Sequence, residues 1–304
     1  MVIPMQNKSR LLAKWLRPAP LVSAVYLLAV IAAVLLAPVL SPFDPLEQHI
    51  LDALQGPSRE YLLGTDTLGR DVLSRILWGG RPALWGALEA TAVCAAIGVV
   101  LGMIAGYSSG IADRIISSIV DVMGSLPSIV VVFAVLALFG NSLAPAMISA
   151  GIFGSYGLIR IIRARTQETR EELYVAAARV SGLGPLRILA RHIFPRLISP
   201  IVVQLSIFLG VALVLQSGLG FLNLGVTAPS PSWGGMVGEG ATVIQQFPWL
   251  IIVPGFFIAL TVLATVFTSD ALQETPMAAP ISTVPEIVLS HAVKPELQEE
   301  ISPH

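Results

Sequence analysis

The chain has few charged residues for its length and almost no cysteine. Charged residues make up 12% of its 304 positions, and 55% of the residues are hydrophobic. Soluble domains carry about 25% charged residues, so this balance predicts an integral membrane protein. The single cysteine, Cys94, excludes an internal disulfide and a multi-cysteine metal site. Because it lies in an apolar run, we interpret it as a packed small residue rather than a reactive thiol.

The sequence also lacks the motifs of several enzyme classes. A phosphate-binding loop needs Gly-x4-Gly-Lys-Ser/Thr, but the one Lys-Ser pair, Lys8-Ser9, has no glycine beside it. A helical metal site of this type needs two histidines at i and i+4, and no two of the four histidines have that spacing: His49, His192, His291 and His304. We therefore predict no catalytic residue, metal ligand or cofactor site in this chain, and no patch typical of nucleic-acid binding.

Long apolar stretches account for most of the sequence. A membrane-spanning helix needs about 20 mostly apolar residues, and six stretches qualify: 21–40, 84–106, 115–139, 144–162, 198–221 and 249–268. The first is longer than the apolar core of a typical signal peptide and has no convincing cleavage site after it, so we interpret it as a retained helix. The fold class predicted is an all-α membrane protein with six transmembrane helices.

Positive charge is concentrated in two places and orients these spans. Four Lys or Arg residues lie in the first 20 positions, and eight Arg lie between Arg160 and Arg196. Cytoplasmic loops are enriched in Lys and Arg, so six spans place both regions and the C-terminus inside. The predicted organisation is 1–83 (first helix and outer loop), 84–270 (five-helix core) and 271–304. The last segment is acidic and rich in proline, and is predicted to be a disordered cytoplasmic tail.

Glycine and proline mark particular places in the spans. Gly98, Gly102 and Gly106 form a small-x-x-x-small row, which lets another helix approach closely. We interpret the row as packing within the chain, with a dimer interface as the alternative. Pro127 and Pro254 are expected to kink or locally unwind their helices.

The polar segment 168–196 is predicted to form a helical hairpin between two spans. Glu168, Glu171 and Glu172 suit a helix start, and Gly182 and Gly184 permit a tight turn. Pro185 suits the first position of a second helix, in which apolar residues recur at helical spacing: Leu186, Leu189, Ile193 and Leu197. A structured hairpin in a membrane loop indicates docking of a partner protein; a surface or re-entrant helix is the alternative.

Polar residues inside a span are functional candidates because their burial in lipid is costly. Span five holds Gln204, Ser206, Gln216 and Ser217, which we hypothesise line a translocation path. Hydrogen bonding between helices, without substrate contact, is the alternative. Asp121, near the inner end of span three, is expected to pair with Arg114 or with a partner chain.

Several motifs together resemble one known family. The run YVAAARVSG–x–GPLRILARHIFP resembles the cytoplasmic EAA loop of ABC importer permeases; Gly182, His192 and Pro195 match, and Ala176 replaces the family Glu. Residues 62–81, with GTD-x-x-GRD-x-x-SR, and 218–240, with P-x-PSWG and EG, resemble the "C"-type subunit of the dipeptide/oligopeptide/nickel branch, as does SPFDP at 41–45. Gln216 and Gly220 depart from that branch.

This resemblance implies the type I importer permease fold with a coupling hairpin at 168–196. It implies a second homologous permease, two ABC ATPases that bind ATP and Mg, an extracytoplasmic binding protein, and a cell-membrane location with both termini cytoplasmic. Di- and oligopeptides are the leading substrates; nickel, haem or another small solute remains open. The ATPase-coupling residues implied are Ala176, Ala177, Ala178, Gly182, Gly184, Arg187, Arg191 and His192.

The outer loops are the implied contact region for the binding protein. Asp66, Arg70 and Asp71 either face that protein or pair within the first outer loop. The loop 222–240, with Trp233, is either a lid or docking surface or a simple connector. A secondary transporter acting without an ATPase is the rival class, but it expects an intramembrane cluster of coupling acids that the spans lack. A scaffold subunit is a third interpretation.

Overall fold

The computed structural model describes residues 18–108 and 110–273. Within these ranges the chain is helical, and strand pairing is confined to one isolated bridge between Thr65 and Asp71. The basic N-terminal residues and nearly all of the predicted tail lie outside the described residues. The helices are α1 Pro18–Leu35, α2 Ala37–Leu40, α3 Val72–Tyr107, α4 Ile111–Ser125, α5 Ser128–Phe139, α6 Leu143–Arg170, α7 Leu173–Val180, α8 Pro185–Ile188, α9 Phe194–Phe221, α10 Trp233–Ala241 and α11 Trp249–Gln273.

The described helices include fewer full-length spans than the six predicted. Four are long and apolar enough to cross a bilayer: α3, α6, the continuous run Pro185–Phe221, and Trp249–Ser269 within α11. The bent pair α4–α5 raises this number to five if it counts as one span. The first predicted span corresponds to α1 and α2, where the apolar stretch Pro20–Leu35 is shorter than a span. The all-helical prediction is confirmed, whereas the count of six is not.

The third predicted span, 115–139, is broken near its middle. Helices α4 and α5 meet at 85°, with Leu126 and Pro127 in extended conformation between them. A proline disfavours helical conformation at the preceding residue and donates no backbone hydrogen bond. The break predicted at Pro127 is therefore present, while α11 continues as a helix through Pro254.

Helix α3 packs closely against α6 along the glycine row. A Cβ added to Gly98 would lie 2.6 Å from Leu158 Cδ2, and one added to Gly102 would lie 2.7 Å from Ile162 Cβ. At Gly106 it would lie 2.5 Å from the backbone oxygen of Arg163. The glycine row thus packs against a neighbouring helix of the same chain, as the first interpretation predicted.

Two buried clusters follow from this packing. The larger cluster joins α1, α3, α5, α6, α9, α10 and α11, and it includes Ile76, Met147 and Trp233. The smaller cluster joins α3 and α6 to the hairpin, and it includes Cys94, Leu158 and Ile193. Cys94 is 1% exposed, as expected of a packed residue.

The glycine contact gives a direct stability test. Gly106→Ala would place a methyl group against the Arg163 carbonyl and Thr166, so α3 and α6 must separate. We expect a loss of about 1–3 kcal/mol, as for other overpacked cores, seen as a lower thermal midpoint in detergent. Gly157→Ala on α6 is the control, because nothing lies within 4 Å of the added Cβ. Equal midpoints for Gly106→Ala and the wild type would contradict the assignment.

Candidate functional site

The segment 168–196 does form a hairpin, but its second arm differs from the prediction. Helix α7 ends at Val180, and Gly182 takes the left-handed backbone conformation (φ +79°) that begins the turn. Pro185 then starts α8. This arm does not end near residue 196: a π-helical turn, Leu189–Ile193, joins it directly to α9. The wider π turn accommodates Pro195, which lacks an N–H to donate and would crowd the preceding turn of a regular α-helix.

The first arm also begins later than predicted. Glu168 belongs to the last turn of α6, and Glu171 and Glu172 lie in the break before α7. Helix α6 therefore extends through Arg170, whose Nη1 donates to the carbonyl of Tyr107 at the end of α3 (3.1 Å). The hairpin therefore starts beside the hydrogen bond that joins the ends of α3 and α6.

One face of the hairpin is packed onto the spans. Val175 is fully buried, and Ala178 and Ile188 are nearly so. They belong to the same cluster as Leu158 and Ile162 of α6. The hairpin is therefore bound to the α3–α6 pair rather than attached only through its ends.

The opposite face is exposed and partly apolar. Leu173, Val180 and Leu186 are 86%, 89% and 82% exposed. Sequence periodicity grouped Leu186 with Leu189, Ile193 and Leu197, yet only the last three are buried. The π-helical turn that begins at Leu189 changes the angle at which the following side chains leave the helix. A pattern based on a regular period of 3.6 residues does not include this change. The exposure of Leu186 was therefore not predicted.

The predicted coupling residues divide between these two faces. Ala176, Ala177, Gly182, Gly184, Arg187 and Arg191 are exposed, and Ala178 is buried. His192 is half-buried, and its ring stacks on Tyr174 with 6.5 Å between centroids. The Arg196 guanidinium also lies over the Tyr174 ring, with its Cζ 5.4 Å from the ring centroid. Burial raises the pKa of the Tyr174 phenol and Arg196 opposes that rise, so the hydroxyl remains protonated at neutral pH.

The predicted path residues lie along α9. Gln216 is fully buried, and neither atom of its amide has a hydrogen-bond partner among the described residues. Its side chain lies beside Gly86 of α3. The Ser217 hydroxyl donates to the carbonyl of Leu213 (2.8 Å), and Gln204 is half-buried. Asp121 pairs with Arg160 (2.7 Å) rather than with Arg114.

The outer-loop candidates are buried in a network of four charges. Arg70 Nε donates to Asp66 Oδ2 (2.7 Å), and Arg75 Nη1 lies 3.1 Å from the same oxygen. Both guanidinium groups also donate to Glu239 of α10, at 2.8 and 3.0 Å. Asp66, Arg70 and Arg75 are each at most 5% exposed. In this conformation their side chains connect the first outer loop to α10 instead of facing outward.

Two neighbouring residues complete this connection. Asp71 caps α3 by accepting the backbone N–H of Ser74 (2.7 Å), and Trp233 Nε1 donates to the carbonyl of Ile76 (2.8 Å). Trp233 is 1% exposed, so it is a buried anchor and not a surface side chain. Arg75 and Glu239 were missed as partners, although both lie inside the motif-bearing segments 62–81 and 218–240. The sequence did contain a signal for this pairing: in each segment one charged residue has no oppositely charged partner within the same segment.

These features define a class of protein: a multi-pass helical membrane subunit with a polar hairpin anchored beside its spans. A family model described as "Binding-protein-dependent transport system inner membrane component" matches residues 98–275. The chain belongs to that family, and the resemblance to ABC importer permeases is confirmed. It is accordingly a multi-pass inner-membrane protein of the transporter type.

Curated relatives and a solved structure agree with this assignment. The dipeptide transport system permease protein DppC of Alkalihalophilus pseudofirmus is 36% identical over 254 residues, covering 84% of each chain. The glutathione transport system permease protein GsiD of Pectobacterium atrosepticum is 37% identical, covering 83% of this chain and 84% of its own. An inward-facing MetNI methionine ABC transporter matches with a TM-score of 0.50 at 15% identity, covering 65% of this chain and 96% of that chain. It supports the type I importer permease fold.

The charge network should be tested by removing its bridging carboxylate. Glu239→Gln would leave Arg70 and Arg75 buried with only Asp66 between them. Breaking a buried ion pair costs about 3–5 kcal/mol. We expect the lower end of that range, because the Glu239 side chain is 28% exposed. The thermal midpoint in detergent should fall, and protease cleavage within 41–71 should accelerate.

The matched control for this variant is Glu60→Gln, which removes an exposed carboxylate from the same outer loop. Its midpoint should equal that of the wild type. A Glu239→Gln protein as stable as this control would show that the network contributes little.

Proposed function

We propose that this chain is one membrane permease of an ATP-driven importer. With a homologous second permease, it forms the path for small peptides delivered by an extracytoplasmic binding protein. The hairpin 168–196 docks in a groove of a cytoplasmic ATPase and couples ATP-driven closure to the spans. The observation that carries the proposal is a hairpin with one face packed on α3 and α6 and an exposed apolar opposite face.

The exposed face is suited to a protein groove. Three large apolar side chains, Leu173, Val180 and Leu186, are almost wholly exposed on a polar hairpin. Burying each would contribute about 1.5–3 kcal/mol before the costs of association. Arg187 and Arg191 beside them would add charged contacts, which favour correct orientation and fast association. Ala176 and Ala177 leave a smooth surface between the apolar residues.

The buried face supplies the mechanical connection. Val175, Ile188 and Ile193 belong to the same buried cluster as Leu158 and Ile162 of α6. Protein interiors are close-packed and transmit displacement with little compression. A force applied by the ATPase to the hairpin would therefore move α3 and α6 with it. ATP and Mg are held by the ATPases in this scheme, and the chain itself performs no phosphoryl chemistry.

The second permease would cover an apolar cleft between α5, α9 and α11. This cleft has a volume of about 660 Å³, and exposed apolar side chains line it, among them Val211, Val214 and Phe221. A homologous helix bundle offers the complementary apolar surface that such a cleft needs. Small peptides are proposed as the substrate because the relatives named above carry dipeptides and glutathione. The arginine-rich loop 163–197 supports a cytoplasmic hairpin and cytoplasmic termini.

The docking proposal is tested by polar substitution on the exposed face. The double variant Val180→Ser/Leu186→Ser should reduce recovery of the ATPase with the tagged chain by more than about tenfold, since burial of each apolar side chain contributes about 1.5–3 kcal/mol before the costs of association. ATP-dependent uptake of a dipeptide should fall in parallel. The thermal midpoint should not change, because both side chains are exposed. The double variant Arg187→Glu/Arg191→Glu should also reduce recovery of the ATPase. Its effect should be larger at low salt than at high salt, because salt screens charged contacts.

The matched control is Leu51→Ser, which removes another exposed leucine (99%) in the first outer loop, on the opposite side of the membrane in the proposed orientation. It should leave ATPase recovery unchanged. If the hairpin double variant also retains full recovery and uptake, the docking face is wrongly assigned.

The path proposal is tested at Gln216. Gln216→Met keeps the shape of the side chain and removes a buried amide without a partner, so the thermal midpoint should stay the same or rise. We expect dipeptide uptake to fall while ATPase recovery stays normal. Unchanged uptake and unchanged substrate range would contradict a role of Gln216 in the path.

A further inference from the structure

Helix α4 has an exposed apolar side next to an exposed polar side. Four apolar residues recur along it at helical spacing, and each is more than half exposed: Ile111, Ile115, Ile119 and Val122. At 3.6 residues per turn they occupy an arc of about 80°, which we call the α4 apolar stripe. Exposed polar residues occupy the neighbouring arc: Arg114, Ser118, Asp121 and Ser125.

The remaining side of α4 is packed on α6. Val120 is buried, and Asp113 accepts a hydrogen bond from Nη2 of Arg163 (2.8 Å). A Cβ added to Gly124 would lie 3.5 Å from the ring of Tyr156. This packed side is roughly opposite the α4 apolar stripe on the helix. The stripe therefore points away from the other helices of the chain.

The contacts with α6 also give the depth of α4 in the membrane. At its first residue, Leu143, α6 lies beside the outer loop, since a Cβ added to Gly225 would be 3.2 Å from Leu143 Cδ1. Arg160, which pairs with Asp121 (2.7 Å), and Arg163 lie about 26 and 30 Å further along α6 at 1.5 Å per residue. The hydrocarbon core is about 30 Å thick. Helix α4 therefore lies at the membrane boundary on the side of the hairpin.

The bend between α4 and α5 gives the direction of α4. Helix α5 leads back to the outer loops, where Asn141 donates to the carbonyl of Asn223 (2.9 Å). Because α4 and α5 meet at 85°, α4 runs along the boundary more nearly than across it. An amphipathic helix in this position buries its apolar side in the acyl region and keeps its polar side at the headgroups.

The composition of the two exposed sides favours phospholipid over a protein partner. The α4 apolar stripe is aliphatic and holds no aromatic residue, whereas the cores of protein interfaces are enriched in Tyr, Trp and Phe. Both carboxylates of α4 are already paired with arginines of α6. Arg114 has no carboxylate partner among the described residues. One uncompensated cation thus lies beside an apolar surface, which matches an anionic phospholipid.

We propose that α4 binds anionic phospholipid of the leaflet on the hairpin side. The acyl chains would lie against the α4 apolar stripe, and the headgroup would contact the Arg114 guanidinium. The lipid would thereby hold the bend between α4 and α5 at the membrane boundary. The proposal requires only the membrane location of the chain, so it stands or fails independently of the ATPase assignment.

Spin-label accessibility tests the position of the stripe. In a Cys94→Ala background, Ile115→Cys, Ile119→Cys and Ser118→Cys each carry a nitroxide. The full-length chain is reconstituted with its copurifying partners in vesicles of phosphatidylcholine and phosphatidylglycerol. Labels at 115 and 119 should collide more often with oxygen, which concentrates in the acyl region, than with a water-soluble nickel chelate. The label at 118 should show the reverse order, as should the aqueous reference Ser181→Cys on the exposed turn of the hairpin.

Two outcomes of this experiment would contradict the proposal. Few collisions with both reagents at 115 and 119 would show that a protein partner covers the α4 apolar stripe. Frequent collisions with the nickel chelate at the same positions would show that water covers it.

Quenching by brominated lipids tests the headgroup. A fluorophore on Ile119→Cys should be quenched more by brominated phosphatidylglycerol than by brominated phosphatidylcholine. Arg114→Gln should lower this relative affinity about fivefold, the contribution of one Arg at an anionic surface. The matched control is Arg59→Gln, which removes an exposed Arg of the first outer loop and should not change the ratio. Equal quenching by the two lipids, or a preference that Arg114→Gln leaves intact, would overturn the proposal.

Discussion

The close approach of α3 and α6 is the constraint on which the rest of the structure depends. Three glycines spaced four residues apart let α3 lie against Leu158, Ile162 and the backbone at Arg163. In a bilayer the hydrophobic effect does not drive helices together, so van der Waals contact between closely approaching backbones must do so. The α3 and α6 residues of the smaller buried cluster, which includes the hairpin, belong to this closely packed pair.

Helix α3 connects the two ends of the molecule. Its 36 residues span about 54 Å at 1.5 Å per residue, well beyond the roughly 30 Å hydrocarbon core. Near its N-terminal end Arg75 enters the charge network with Asp66 and Glu239, and at its C-terminal end Tyr107 accepts a hydrogen bond from Arg170. The same helix therefore contacts the outer loops, the spans and the base of the hairpin. The proposed coupling between the two sides of the membrane depends on such a rigid connection.

Features that depend on local sequence were predictable. The glycine row, the turn at Gly182 and the break at Pro127 each follow from the backbone properties of one or two residues. The buried pair between Arg75 and Glu239 was not, because these residues are 164 positions apart and only the folded arrangement brings them together. The exposure of Leu186 was missed because the π turn at Leu189–Ile193 shifts the helical phase. The number of spans also differs, since α1 is shorter than its apolar run suggests and α4–α5 is bent.

The central claim is that the hairpin holds an ATPase while a second permease completes the path. The most direct measurement is purification of the tagged full-length chain from native membranes in mild detergent, with identification of the copurifying proteins by mass. The account predicts one homologous permease and one or two kinds of ATPase with phosphate-binding loops, in a complex with two ATPase subunits. Recovery of the chain alone, or only as a homo-oligomer, would contradict it and would reduce the hairpin to a surface feature.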